Sequence, residues 1–164
     1  MKKLFFTLIL FFFLSFGYSL AYDLKVIDGD TIILNGEKIR FSGIDTPESH
    51  YRGKKQICND DNVEFYCGDV SKKILINKIG KNKVLCVKEK KPDRYKRILA
   101  ECFVNNESLS KYLVRNGYAF DYAYYSKKKF AEDEKYAKEN KLGFWKIEFE
   151  YPWIWRKKVR DGKI

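Results

Sequence analysis

Apolar positions come in short bursts through the first half of the chain and at helical spacing through much of the second. Leu24 to Ile27 and Thr31 to Leu34 are β-branched or aliphatic runs on either side of an Asp28-Gly29-Asp30 turn. Asn35-Gly36 is a hairpin signal, because both residues enter the left-handed region that a tight two-residue turn needs. Lys38 to Ile44 reads as a third strand. Its imperfect alternation suits a twisted barrel strand better than a sheet with one wet face. Lys83 to Val87 and Ile98 to Val104 are the fourth and fifth strands. Residues between His50 and Cys67 are polar and irregular, and read as a surface loop.

Three helices are expected. Asp69 is placed to cap the first, which runs from Val70 towards Ile79 and stops at Gly80, with Val70, Ile74, Leu75 and Ile79 on one side. Ser108 to Asn116 is the second, with Leu109, Tyr112 and Leu113 inward and Gly117 as the stop. The third runs from about Lys128 to Lys141, with Phe130, Ala131 and Ala137 inward, Gly143 at its end and Trp145 packing back. Five strands with helices inserted late predict an α+β domain, mainly β, compatible with a five-stranded OB-type Greek-key barrel plus three helices. Periodicity alone does not select that barrel over other mixed folds. No internal repeat is present.

The chain's two ends differ from this pattern. Lys2 and Lys3 precede an almost unbroken apolar run from Leu4 to Phe16, and Ser19-Leu20-Ala21 offers small residues around a cleavage point. Residues 1–21 therefore read as a secretory signal peptide. The run falls short of the roughly 20 apolar residues of a spanning helix, so no stable membrane insertion is expected after cleavage. An exported protein, periplasmic or secreted, follows. Residues 22–146 form the domain, and residues 147–164 an aromatic and basic tail with Trp153, Trp155, Arg156, Lys157, Lys158 and Arg160. Trp153 is expected to pack on the domain, and the basic residues after Trp155 to lie in solvent near a polyanion's path.

Composition sharpens this. Lys and Arg number 33 against 22 Asp and Glu, a formal charge of +11, of which Lys2 and Lys3 carry two. Such an excess favours a polyanionic partner, nucleic acid or an acidic surface. It also suits a soluble protein with no such partner. Cys58, Cys67, Cys86 and Cys102 make an even number in an exported chain and read as disulfides. The single His50 and the lack of any CxxC pair argue against a zinc site. Four cysteines permit three pairings. Cys86 and Cys102 lie almost symmetrically about Asp93-Arg94-Tyr95, so a hairpin would bring them face to face and leave Cys58 with Cys67.

Candidate chemistry sits in Ile27-Asp28-Gly29-Asp30-Thr31, in Arg40-Phe41-Ser42-Gly43-Ile44-Asp45-Thr46-Pro47-Glu48 and in Asp93-Arg94-Tyr95-Lys96-Arg97. Asp30, Asp45 and Glu48 are oxygen donors suited to a hard cation. Their spacing is not that of an EF-hand loop, because Ile33 stands where that loop needs glycine. Arg40 lies between Ile39 and Phe41, where a guanidinium needs an anionic partner, either a carboxylate or a substrate phosphate. Arg97 starts an apolar strand in the same way, and Tyr95 offers a stacking face, a phenol donor or simple packing.

Taken together these segments resemble the hallmarks of the staphylococcal nuclease (thermonuclease) family, in the family's order and at similar spacing. Val114-Arg115-Asn116-Gly117-Tyr118-Ala119 and Lys141-Leu142-Gly143-Phe144-Trp145 add to the likeness, which covers about Tyr22 to Trp145. The resemblance implies an OB barrel with three helices. It implies calcium-dependent endonucleolytic hydrolysis of DNA and RNA by a monomer holding one Ca2+, leaving a 3′-phosphate and a 5′-hydroxyl. Asp30 and Asp45 match direct metal ligands, and Thr46 the position that ligates through its backbone carbonyl. Glu48 matches the acid that holds the attacking water, Arg40 and Arg97 the arginines that hold the phosphate, and Tyr95 a nucleotide-contacting tyrosine. The four cysteines, Lys96 in place of a glycine, and the Trp153-Ile154-Trp155-Arg156 tail depart from the founding member.

Two other readings compete. One is a catalytically weak nucleic-acid-binding OB module, against which the retention of Glu48 and both arginines argues. The other is a basic envelope-associated binding protein anchored by its tail.

Overall fold

The computed structural model describes residues 22–93 and 95–164. The expected signal peptide, residues 1–21, lies outside the described residues.

A meander of three strands starts the domain: β1 (Leu24–Asp28), β2 (Thr31–Leu34) and β3 (Glu37–Phe41). The β1–β2 turn closes when the Asp30 N–H donates to the Asp28 carboxylate at 3.1 Å, the local bond that makes Asp a turn former. Gly29 is needed there, because a Cβ would stand 2.6 Å from that of Ser71 and 2.9 Å from Thr46 Oγ1. Asn35 and Gly36 both have positive φ, 51° and 82°, as the β2–β3 hairpin signal requires. The short β4 (Ile44–Asp45) follows.

Between β4 and the first helix the chain is a hairpin where a loop was expected. β5 (Ile57–Asp60) pairs antiparallel with β6 (Val63–Tyr66) around Asp61-Asn62, both at positive φ. The polar composition hid it, since this hairpin stands outside the main sheet and most of its residues are exposed or half-buried. The helix α1 (Cys67–Ile79) then starts earlier than Asp69 suggests. Asp69 does not cap it; its carboxylate pairs with Lys55 on the surface at 2.7 Å.

Next come β7 (Leu85–Lys88), β8 (Ile98–Val104), β9 (Glu107–Ser108), α2 (Leu109–Arg115) and β10 (Phe120–Asp121). The Ser108 hydroxyl accepts from the Lys111 N–H and caps α2. α3 (Ala123–Ser126), α4 (Ala131–Glu139), a 3-10 turn (Gly143–Lys146) and α5 (Pro152–Arg160) complete the domain. The three expected helices are α1, α2 and α4; α3 and α5 are additional. The main sheet runs β1-β2-β3-β8-β7, with β9 on the other side of β8 and β3 parallel to β8. It is α+β and of the OB type, but the barrel is not closed.

One core joins the sheet to α1 and α2 through Ile32, Ile39, Phe41, Leu75, Ala100, Leu109 and Leu113. A second centres on Phe120 and Phe144, with Phe149, Tyr151 and Trp153 packed against them. The Phe120 ring lies 4.8 Å from Phe149 and 5.1 Å from Tyr151. Trp153 stacks on Tyr151 at 4.6 Å and on Tyr122 at 5.1 Å. The tail is therefore folded back on the domain. Pro152 opens α5, where a missing N–H costs nothing, and Trp155 and Val159, one turn apart, are its buried face.

The structure pairs Cys58 with Cys67 and Cys86 with Cys102. Cys86 and Cys102 stand directly opposite on β7 and β8. Among the described residues no helix is long and apolar enough to cross a membrane.

Candidate active site

Four elements bring the candidate residues to one place. The β1–β2 turn supplies Asp30, β3 supplies Arg40, β4 supplies Asp45, and the segment after β4 supplies Thr46 and Glu48. β4 is held there by β10, with Asp45 opposite Phe120. Asp30, Asp45 and Thr46 are buried almost completely, at 2%, 0% and 3% exposure.

Arg40 ties the acids together. Its Nη1 donates to Asp30 Oδ1, and its Nη2 to Asp45 Oδ1 at 2.7 Å and more weakly to the Ile44 carbonyl at 3.3 Å. The anionic partner that the sequence demanded is thus a pair of carboxylates. Burial opposes the charge on Arg40, but Asp30, Asp45 and Asp28 outweigh it and raise its pKa. Burial likewise works against ionisation of Asp30. Arg40, with bonds from Asp28, the Thr31 hydroxyl and the Thr46 N–H, holds Asp30 below the usual carboxylate range. Asp28 takes the opposite course. Burial, and behind it the negative charge of the neighbouring Asp30, push it up to about 8, against the opposing pull of Arg40.

Glu48 is held from several sides. Its N–H donates to the Gln56 side-chain oxygen at 3.1 Å, and its carbonyl accepts from the Gln56 N–H at 3.0 Å. Gln56, fully buried, also donates from Nε2 to the Glu150 carbonyl at 2.6 Å. The backbone of Gly68 at the start of α1 presses on Glu48, since a Cβ on Gly68 would lie 2.3 Å from the Glu48 carbonyl carbon.

Arg156, on α5, completes the cluster. Its Nη2 donates to Asp45 Oδ2 at 2.6 Å, and its Nη1 to Asp45 Oδ1 at 3.1 Å and to Glu48 Oε1. This corrects the expectation for the tail. Lys157, Lys158 and Arg160 are exposed, but the Arg156 side chain is only 17% exposed and faces two carboxylates. Burial pushes the Glu48 carboxyl up while Arg156 pulls it down, with the net shift upward.

Arg97 and Tyr95 line the same cavity, of about 700 Å3, as Asp30, Arg40, Thr46, Glu48 and Arg156. Arg97 is braced by Asp93, which accepts from its Nε at 2.7 Å and from its backbone N–H at 2.9 Å. Although burial opposes it, these bonds hold the Asp93 carboxyl below its ordinary value. The Arg97 guanidinium lies 5.4 Å from the Tyr95 ring centre, and Tyr95 is 64% exposed. Lys96, where the resemblance has glycine, sits at φ 60°, the left-handed region that glycine enters freely.

Reading the sequence placed Arg156 only among the solvated basic residues of the tail, did not single out Gln56, and took Asp28 only as a turn residue. The signal for Arg156 was Pro152 followed by Trp155 and Val159 at helical spacing, which marks a helix start with one buried face. Nothing local to Gln56 could have shown that it bonds the Glu48 backbone and the tail.

The donor set fits a hard divalent cation. Among the described residues no three His, Cys, Asp or Glu side chains converge on a single point. Two buried carboxylates, Asp30 and Asp45, are nonetheless joined through one guanidinium, with Thr46 beside them. A cation of this kind needs only one or two carboxylates when carbonyls and waters supply the rest.

A family model described as "Staphylococcal nuclease homologue" matches residues 38–147. The chain is 29% identical over 129 residues to the "Succinoglycan biosynthesis protein ExoI" of Rhizobium meliloti, covering 77% of this chain and 65% of the relative. It is 36% identical over 132 residues to "Endonuclease YncB" of Bacillus subtilis, covering 74% of this chain and 59% of that one. It is 27% identical over 144 residues to "Staphylococcal-like nuclease CAN1" of Arabidopsis thaliana, covering 87% of this chain and 40% of the relative. The chain thus spans between two fifths and two thirds of the length of these three relatives. With the matched segment carrying Arg40, Asp45, Glu48 and Arg97 onto an OB-type sheet, the chain belongs to the staphylococcal nuclease homologue family.

Proposed function

We propose that the protein is an exported, monomeric endonuclease that uses one calcium ion to hydrolyse phosphodiester bonds of DNA and/or RNA, leaving 3′-phosphate ends. The observation that carries this reading is Arg40 bonded to both Asp30 and Asp45 in the wall of a cavity that Glu48, Arg97 and Tyr95 also line. Oxygen donors, two arginines and an exposed phenol ring in one pocket are a set suited to an anionic diester with a base attached.

Asp30, Asp45 and the Thr46 carbonyl would hold the cation, which supplies charge for the phosphorane oxygens and lowers the pKa of a bound water. The rest falls to the chain's own groups. Arg40 has five N–H donors, and three bonds engage them here. Its remaining donors would take a non-bridging phosphate oxygen. Arg97 reaches a second, with Asp93 fixing the plane of its guanidinium. Preoriented donors of this kind stabilise charge that grows in the transition state, because they need not reorganise as it forms. Glu48 accepts a proton from the attacking water, whose oxygen bonds to phosphorus as the P–O5′ bond breaks, and the departing 5′ oxygen takes a proton from solvent water to become a 5′-hydroxyl. Its raised pKa brings it closer to the range in which a general base works. Tyr95 stacks against a base or donates its phenol.

The test is cleavage of single-stranded DNA and RNA in millimolar calcium, with and without excess chelator, followed by analysis of the product ends. Calcium-dependent fragments bearing 3′-phosphates are expected. Full activity under chelation, or 3′-hydroxyl ends, refutes the mechanism. Binding without cleavage favours the weak binding module.

A further inference from the structure

We propose that Arg156 and a divalent cation compete for the Asp45 and Glu48 carboxylates, so that helix α5 sets the cation affinity of the site. Arg156 takes both oxygens of Asp45, at 2.6 and 3.1 Å, and one of Glu48. Asp45 Oδ1 is also taken by Arg40 at 2.7 Å. A carboxylate so fully engaged gives up a bond before it ligates anything else, and a guanidinium fixed against it repels an arriving dication.

The guanidinium is not there by chance of a loose tail. Its neighbour Trp155 and the next-turn Val159 are buried at 7% and 8% exposure. The segment leading into α5 is fastened by the Gln56 bond to the Glu150 carbonyl and by the stacking of Trp153 between Tyr151 and Tyr122. Arg156 also lies beyond residue 147, where the family match ends. The segment outside the match thus carries a cation into the centre of the site.

Arg160 supplies the internal control. It lines the same cavity from the same helix and bears the same charge, but makes no hydrogen bond or salt bridge to Asp45 or Glu48.

The inference rests on the cation assignment of the proposed function, not on cleavage. It is tested by titrating calcium calorimetrically into the full mature chain and its Arg156→Ala and Arg160→Ala variants. Arg156→Ala should bind calcium about tenfold more tightly or better, and Arg160→Ala within about threefold of the parent. Arg156→Gln, which keeps donors but loses the charge, replaces Arg156→Ala if that variant does not fold, and should also tighten binding. Unchanged or weaker binding in the Arg156 variants overturns the proposal. Equal tightening in Arg160→Ala also overturns it, because net charge then explains the effect. So does a failure of all forms to bind at millimolar calcium. If the parent binds calcium but leaves DNA intact, the nuclease reading fails while the competition stands.

Discussion

Arg156 and Asp45, 111 positions apart in the chain, form a two-point ion pair with Nη2–Oδ2 at 2.6 Å and Nη1–Oδ1 at 3.1 Å. A contact of that sequence separation persists only if the helix that presents it is well anchored. Trp155 is the anchor, 7% exposed, with Tyr51 edge-on to its ring at 6.3 Å. Trp155→Ala should therefore cost about 3–5 kcal/mol, the range for emptying a buried aromatic site. Thermal unfolding checks it, and an unshifted midpoint would show that α5 is not part of the cooperative unit.

Gln56 links the Glu48 backbone to the tail, and its amide is buried. Gln56→Leu leaves the Glu48 N–H and the Glu150 carbonyl without their side-chain partner. Each stranded buried group costs about 1–3 kcal/mol. The expected result is lower stability together with reduced turnover, since the segment carrying Glu48 loses its brace. Urea unfolding and single-turnover cleavage on the same preparation separate the two effects. Full turnover in a destabilised variant would mean that Glu48 is placed by other contacts.

Arg40→Lys and Arg97→Lys keep a positive charge but lose the planar fork. In Arg40 that fork bridges Asp30 and Asp45; in Arg97 it is braced by Asp93. Turnover should fall on the order of 100-fold in each, the effect of removing one preorganised donor. Arg97→Lys should lower the melting temperature less than Arg40→Lys, because Asp93 keeps its bonds from the Tyr95 and Arg97 backbone N–H groups, whereas Arg40 bridges two almost fully buried acids. Near-parental turnover in either variant would assign that arginine to the fold.

Glu134 gives a pH-dependent prediction away from the site. Burial, and Asp121 close by, push its carboxyl up against the opposing pull of the Asp121 N–H and Lys138. A raised folded pKa means the folded state holds the proton more tightly. The stability this group contributes is then full below about pH 4, the ordinary glutamate value, and is lost as pH rises through the raised one. Glu134→Gln keeps an oxygen to accept from the Asp121 N–H, a 3.0 Å bond. It should raise the melting temperature at pH 7, with the gain vanishing near about pH 4. A variant less stable at pH 7 would show that the attraction of Lys138 outweighs burial.

Much of this protein could be read from local sequence because its local signals agree with its fold. The Asn35-Gly36 turn, the apolar runs of β2, β3 and β8, and the faces of α1 and α2 need only near neighbours to be specified. The register of β7 against β8 was legible because Cys86 and Cys102 flank one turn symmetrically. The hairpin of β5 and β6 was not, because it buries too little apolar surface to leave a pattern. Asp30, Arg40, Asp45 and Glu48 were recognised as residue types suited to one chemistry, within a stretch of 19 residues. Sequence alone could not say that Arg40's partners are Asp30 and Asp45, that burial beside Asp30 raises the pKa of Asp28, or that a buried glutamine bonds the Glu48 backbone. Above all it could not place Arg156. That residue looks like one more basic side chain in a solvated tail, and only the packing of Trp155, Val159 and the Phe120 cluster turns α5 inward. Spacing along the chain determined which groups the molecule owns; burial and long-range packing decided which of them meet, and so which charges each must answer.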